Sequence, residues 1–131
     1  MKKVSILTTG FFLLMIFSAF VRPAHWEYLG ARKINLDYDR DQIYITGTEG
    51  RFTALKIKVM HRPVTLYDMK VHYGNGSVQD IKVRVHVPAG GESRVIDLAA
   101  GNRVIEKVVF RYETKGSHGK RAKILLFGRH Y

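Results

Sequence analysis

Asp37, Asp39 and Asp41 alternate with Tyr38 and Arg40 in one short stretch. Three carboxylates at alternate positions in a turn can supply the hard oxygen ligands that Ca2+ prefers. The match to a helical calcium loop stops there. Gln42 stands where the sharp turn needs Gly, and Thr48 where the bidentate Glu belongs. Arg40 sits inside the cluster and can neutralise it. The competing reading is a polar loop whose Asp side chains accept hydrogen bonds from nearby backbone amides. The expectation is no cofactor, with Ca2+ on Asp37, Asp39 and Asp41 as the metal alternative.

The basic residues offer a second chemistry. Lys56 and Lys58 alternate with Leu55, Ile57 and Val59, and Lys70 alternates with Met69 and Val71. Lys82 and Arg84 alternate with Ile81, Val83 and Val85. If these runs are neighbouring strands, the five cations merge into one anion-attracting face. The competing reading is a solvated face whose lysines discourage edge pairing. Asp39, Arg40, Asp41, Arg51 and Arg103 form a third set. Converging at one end of the domain, they would make a loop-borne ligand site. Arg94, Asp97 and Arg103 read structurally, as an Arg–Asp pair bracing the Ala99–Asn102 connection.

Nothing declares a reaction. The six histidines include no H-E-x-x-H pair, no Ser occupies a G-x-S-x-G elbow, and there is no Cys. Gly90-Gly91 is followed by another strand-like run, so no helix N-terminus cradles a phosphate. The chain is therefore not expected to be an enzyme.

The elements that would position these groups are extended. Strand-like runs cover 26–34, 42–46, 52–60, 65–73, 78–87, 94–98, 104–112 and 122–127, separated by Gly- and Asn-rich turns. The last two are apolar on both sides, which marks central strands. A two-residue Asn75-Gly76 turn would set Val71 beside Asp80. A three- or five-residue loop avoids this by pairing Val71 with Ile81, Met69 with Val83 and His72 with Asp80. The fold class expected is all-β: an antiparallel β-sandwich of about eight strands, with a jelly roll as candidate topology.

An N-terminal apolar export helix is expected before it. Met1-Lys2-Lys3 precedes an apolar run from Ile6 to Val21, the layout of an export signal. Neither Ala19 nor Ala24 has a small residue two positions before it, so residues 1–24 read as a signal peptide or a retained membrane anchor. Residues 25–131 then form one domain. The chain has 22 Lys and Arg against 11 acids, a net charge of +11. Lys2, Lys3 and Arg22 precede residue 25, which leaves the domain at +8. Such a charge favours anionic partners.

Several stretches together carry a resemblance. They are Leu29-Gly30, Asp39-Arg40-Asp41 with Ile43, Gly50-Arg51-Phe52, Tyr67-Asp68-Met69-Lys70-Val71 and Tyr73-Gly74-Asn75-Gly76. Ser93-Arg94-Val95-Ile96-Asp97-Leu98, Arg103 with Ile105, and Leu126-Phe127-Gly128-Arg129 complete the ordered set. In this the chain resembles an uncharacterised family of small exported bacterial all-β proteins, a domain of unknown function. The resemblance implies a single-domain β-protein of the cell envelope and brings no catalytic residues.

The functional expectation is an exported, non-catalytic binding or structural module of the bacterial envelope, periplasmic or extracellular, or tethered by its leader. Its partner would be an anionic glycan or lipid surface, or an envelope protein. No specific nucleic acid is expected, and membrane contact is expected only through residues 1–24. The alternatives are docking by a sheet edge and a small envelope hydrolase.

Overall fold

Alternation of apolar and polar residues gives most strands one oily side, and two sheets bury those sides against each other. The protein, seen in a computed structural model, is described for residues 25–34, 38–45, 50–114 and 121–130. The leader at 1–24 and Asp37 lie outside the described residues.

Among the described residues nine strands follow in order: β1 (His25–Lys33), β2 (Tyr38–Tyr44), β3 (Ala54–Met60), β4 (Val64–Tyr73), β5 (Val78–Ile81), β6 (Val85–Val87), β7 (Ile96–Asp97), β8 (Ile105–Glu113) and β9 (Lys123–His130). The first sheet has the order β1-β9-β3-β7. The second has the order β2-β8-β4-β5, with β6 also paired to β4. All pairings are antiparallel. β8 and β9, apolar on both sides, are indeed central.

One core joins the sheets. Leu55, Ile57 and Val59 of β3 and Ile124 and Leu126 of β9 pack with Leu66, Met69 and Val71 of β4 and with Phe110 and Tyr112 of β8. Gly128 permits a close approach at one end. A Cβ there would lie 2.6 Å from the Phe52 ring and 2.8 Å from Leu29. Only hydrogen fits, so Phe52 can lie directly over β9.

Two expectations need correction. The run 78–87 is not one strand. Arg84 takes a positive φ of 45° and donates its amide to the Tyr67 carbonyl (3.1 Å), where β4 carries an extra residue between Leu66 and Asp68. The bulge and the break absorb each other, leaving β5 and β6 on the same edge of β4. The hairpin loop is odd, as expected, with three residues: the Tyr73 amide donates to the Ser77 carbonyl (2.9 Å) around Gly74–Gly76. The register is shifted two residues from that expected. Met69 pairs with Ile81, Lys70 with Asp80, Val71 with Gln79 and His72 with Val78. A two-residue shift keeps every side chain on its own side of the sheet, which is why periodicity alone cannot choose between the registers.

Candidate anion-binding groove

The five cations expected on one face occupy two. β3 and β4 are consecutive in sequence, but the connection through His61, at φ 75°, carries the chain from the first sheet to the second. Lys56 and Lys58 consequently lie on the outer side of the first sheet, cross-strand from Phe127 and Leu125. Lys70, Lys82 and Arg84 lie on the second, where Arg40 of β2 and Arg111 of β8 join them.

Asp68 organises this second group. Its residue is 6% exposed, and Arg111 opposite it on β8 donates Nε to Oδ2 at 2.8 Å and Nη2 to the same oxygen. The Arg111 hydrogen bond holds the Asp68 carboxyl below its ordinary value of 3.8, against the opposing effect of burial, with help from the Arg111, Lys82 and Lys70 charges. Two adjoining concavities share Asp68, Lys82 and Arg111. One of about 300 Å³ is also lined by Arg40, Lys70 and Asp80. The other, of about 470 Å³, is lined by Tyr67, Arg84, Val85 and His86. Together they form a groove along the bulged part of β4.

The walls are braced. The Tyr67 hydroxyl donates to the Glu113 carboxylate, Thr65 Oγ1 meets His86 Nδ1 at 2.9 Å, and Lys82 lies 3.6 Å from Asp80. Arg40, Lys70 and Arg84 have no ion-pair partner among the described residues. Five cations therefore face Asp68 and Asp80, an excess of three positive charges over these two acids. Such a site can hold carboxylate, sulfate or phosphate oxygens by charge-assisted hydrogen bonds.

The loop-end set does not converge. Arg51 and Arg103 flank a depression beside Tyr73 and Gly74. Arg40 pairs with Arg111, eight residues along the chain from Arg103, a separation of roughly 25 Å at about 3.3 Å per strand residue. Arg103 does brace the Ala99–Asn102 connection, but not through an acid. It donates Nη1 to the Ala99 carbonyl (2.8 Å) and Nη2 to Ser77 Oγ (3.2 Å), and its guanidinium stacks 3.7 Å from the Tyr73 ring centre. Asp97 pairs instead with Arg129 (3.4 Å), and Arg94 donates to the Val83 carbonyl (2.8 Å).

Asp39 and Asp41 sit on β2 rather than in a loop, because β2 begins at Tyr38. Each uses Oδ1 to accept the amide of the following residue, from Arg40 at 2.7 Å and from Gln42 at 2.8 Å, and Arg32 Nε lies 3.6 Å from Asp41. Among the described residues no three His, Cys, Asp or Glu side chains gather where they could hold a metal.

Sequence reasoning missed the centre of the groove, Asp68 and Arg111. A signal existed. The apolar positions 64 and 66 change parity to 69, 71 and 73, which marks an extra residue at 67–68.

The family described as "Domain of unknown function (DUF2541)" matches residues 6–128. The chain belongs to that family. No curated protein matches it. Among solved structures it is similar to AlgX of Pseudomonas aeruginosa, with 12% identity and a TM-score of 0.48 over 86% of this chain and 28% of that one. It thus spans little more than a quarter of the length of AlgX. It is also similar to the SPBc2 prophage-derived protein YomS, with 11% identity and a TM-score of 0.42 over 82% of this chain and 94% of that one.

Proposed function

We propose that the chain is an exported, non-catalytic binding module of the bacterial cell envelope, and that the groove on its second sheet engages acidic glycans. The observation that carries this reading is the pairing pattern in the groove. Asp68 is committed to Arg111, while Arg40, Lys70 and Arg84 form no ion pair with a described acid. A bound carboxylate would complete those charges. Tyr67 adds an apolar ring edge beside them, suited to a sugar's carbon skeleton.

We read the architecture as a jelly roll. Successive strands β1 to β4 alternate between the sheets, and β7, β8 and β9 continue the alternation, which supports that reading.

The test is calorimetric titration of the full chain in detergent with an oligogalacturonate. Binding should weaken steeply between ~50 and ~300 mM NaCl. The Lys82→Ala, Arg84→Ala double variant should lose about tenfold in affinity, ~1.4 kcal/mol. Equal binding of a neutral oligogalactan, or an unchanged affinity in the double variant, would overturn the proposal.

A further inference from the structure

The outer side of the first sheet has a different composition, and its cross-strand pairs lay it out in four rungs. Trp26, Arg129 and Ala54 form the first, and Tyr28, Phe127 and Lys56 the second. Ala31, Leu125 and Lys58 form the third, and Lys33, Lys123 and Met60 the fourth. The aromatics cluster at one end. Tyr28 is 54% exposed and meets Phe127 edge-on at 5.8 Å, and Lys56 Nζ sits 4.5 Å from the Trp26 ring centre. None of the concavities described above is lined by these residues. The outer side of an extended sheet suits a flat partner.

We propose that this face lies against a lipid bilayer bearing anionic headgroups. Three observations point there. Trp and Tyr beside Phe, Leu and Met, ringed by Lys, is the composition that settles at a membrane–water interface. Among the described residues, the five cations Lys33, Lys56, Lys58, Lys123 and Arg129 form ion pairs on this side only with Glu92 (from Lys56, 3.5 Å) and Asp97 (from Arg129, 3.4 Å), so the face is net positive and complements anionic lipid. Finally, the apolar run Ile6–Val21 ends four residues before β1, and Trp26 is the second residue of that strand. A leader held in the membrane brings the aromatic end of the face to the bilayer surface. Membrane contact then extends beyond residues 1–24, and the groove on the opposite sheet points away from the membrane. The inference uses the leader reading for support and is independent of the glycan groove.

Trp26 is the chain's single tryptophan, so tryptophan can be relocated without a background signal. The experiment reconstitutes the full chain into vesicles of phosphatidylglycerol and phosphatidylcholine, some carrying brominated acyl chains. Two variants are compared: Trp26→Phe with Phe127→Trp, on the proposed face, and Trp26→Phe with Tyr44→Trp, on the other sheet. Emission at position 127 should fall by about half or more with brominated lipid, as expected for a ring buried at the headgroup–acyl boundary. Emission at position 44 should hardly change. Adding Lys58→Glu and Lys123→Glu to the position-127 variant should relieve the quenching. A chain that does not float with these vesicles overturns both the anchor and the face. A chain that floats while position 127 stays as unquenched as position 44 overturns the face and leaves the anchor standing. A response of position 127 to oligogalacturonate in the absence of vesicles assigns the face to a glycan and also overturns the proposal.

Discussion

Arg111 Nε lies 2.8 Å from Asp68 Oδ2 across the β8–β4 pair, at the rung where β4 carries an extra residue. The Asp68 side chain is 8% exposed and the Arg111 side chain 47%. A buried acid is thus tied to a half-open base. The bulge is what allows this, because it sets Tyr67 and Asp68 together on the outer side instead of sending one of them into the core. With Asp68 neutralised by Arg111, the remaining cations of the groove dominate its field.

Asp68→Asn is expected to destabilise the protein by about 1–3 kcal/mol, the range for losing a hydrogen-bonded charge partner when the group left behind reaches water. The pH dependence follows from the lowered pKa of Asp68. A carboxyl held below its unfolded value contributes its full stability above about pH 3.8 and loses it as pH falls through the lower folded value. Urea unfolding of both proteins at neutral pH and below pH 3.8 checks this. The two should differ most at neutral pH and converge in acid.

Gly128→Ala should cost about 1–3 kcal/mol through overpacking. The new methyl meets the Phe52 ring on one side and Leu29 on the other, so Phe52 must leave its rotamer or β9 must shift. Phe52→Leu in the same chain should return part of the loss. Urea midpoints of the single and double variants measure the coupling.

Arg103→Ala should loosen the Ala99–Asn102 turn at a cost of about 1–2 kcal/mol, and Arg103→Lys should recover little of it. An ammonium cannot hold the Ala99 carbonyl and Ser77 while lying flat on Tyr73. Amide exchange is the readout. Phe52 and Arg103 exchange backbone hydrogen bonds of 2.8 and 2.7 Å, and their protection should fall in both variants.

Tyr112 should ionise well above the ordinary tyrosine range. Burial foremost, and then the Asp39 and Asp41 charges, push its pKa from 10.0 to about 12. A raised pKa means the folded state holds its proton more tightly. The stability it protects is complete below pH 10 and is lost as pH rises towards 12. Tyr112→Phe should flatten this alkaline limb, seen by thermal unfolding across that range. Ultraviolet titration of Tyr112→Phe should lack a tyrosine step near pH 12.

Much of the architecture was legible in local pattern. The alternation of Leu55, Ile57 and Val59 with Lys56 and Lys58 fixes which side of β3 is buried wherever that strand ends up. The two-sided apolarity of 104–112 and 122–127 marks the central strands, because only a strand flanked on both edges and buried beneath its neighbours' side chains keeps oily residues on both sides. The odd hairpin loop follows from parity alone.

What local pattern cannot carry is which strands become neighbours. Alternation says that Lys56 and Lys70 each face outward, but "outward" names two opposite directions once there are two sheets. The crossing between β3 and β4 therefore parted Lys56 and Lys58 from Lys70, Lys82 and Arg84, and it placed Lys56 among Trp26, Tyr28 and Phe127 and Lys58 beside Leu125. The same long-range pairing brought Arg111 to Asp68 over a separation of 43 residues and kept Arg103 away from Arg40. Periodicity of two residues sets the side of a strand. The partner across it is chosen by how two whole sheets bury their apolar area at once, and only the assembled fold contains that choice.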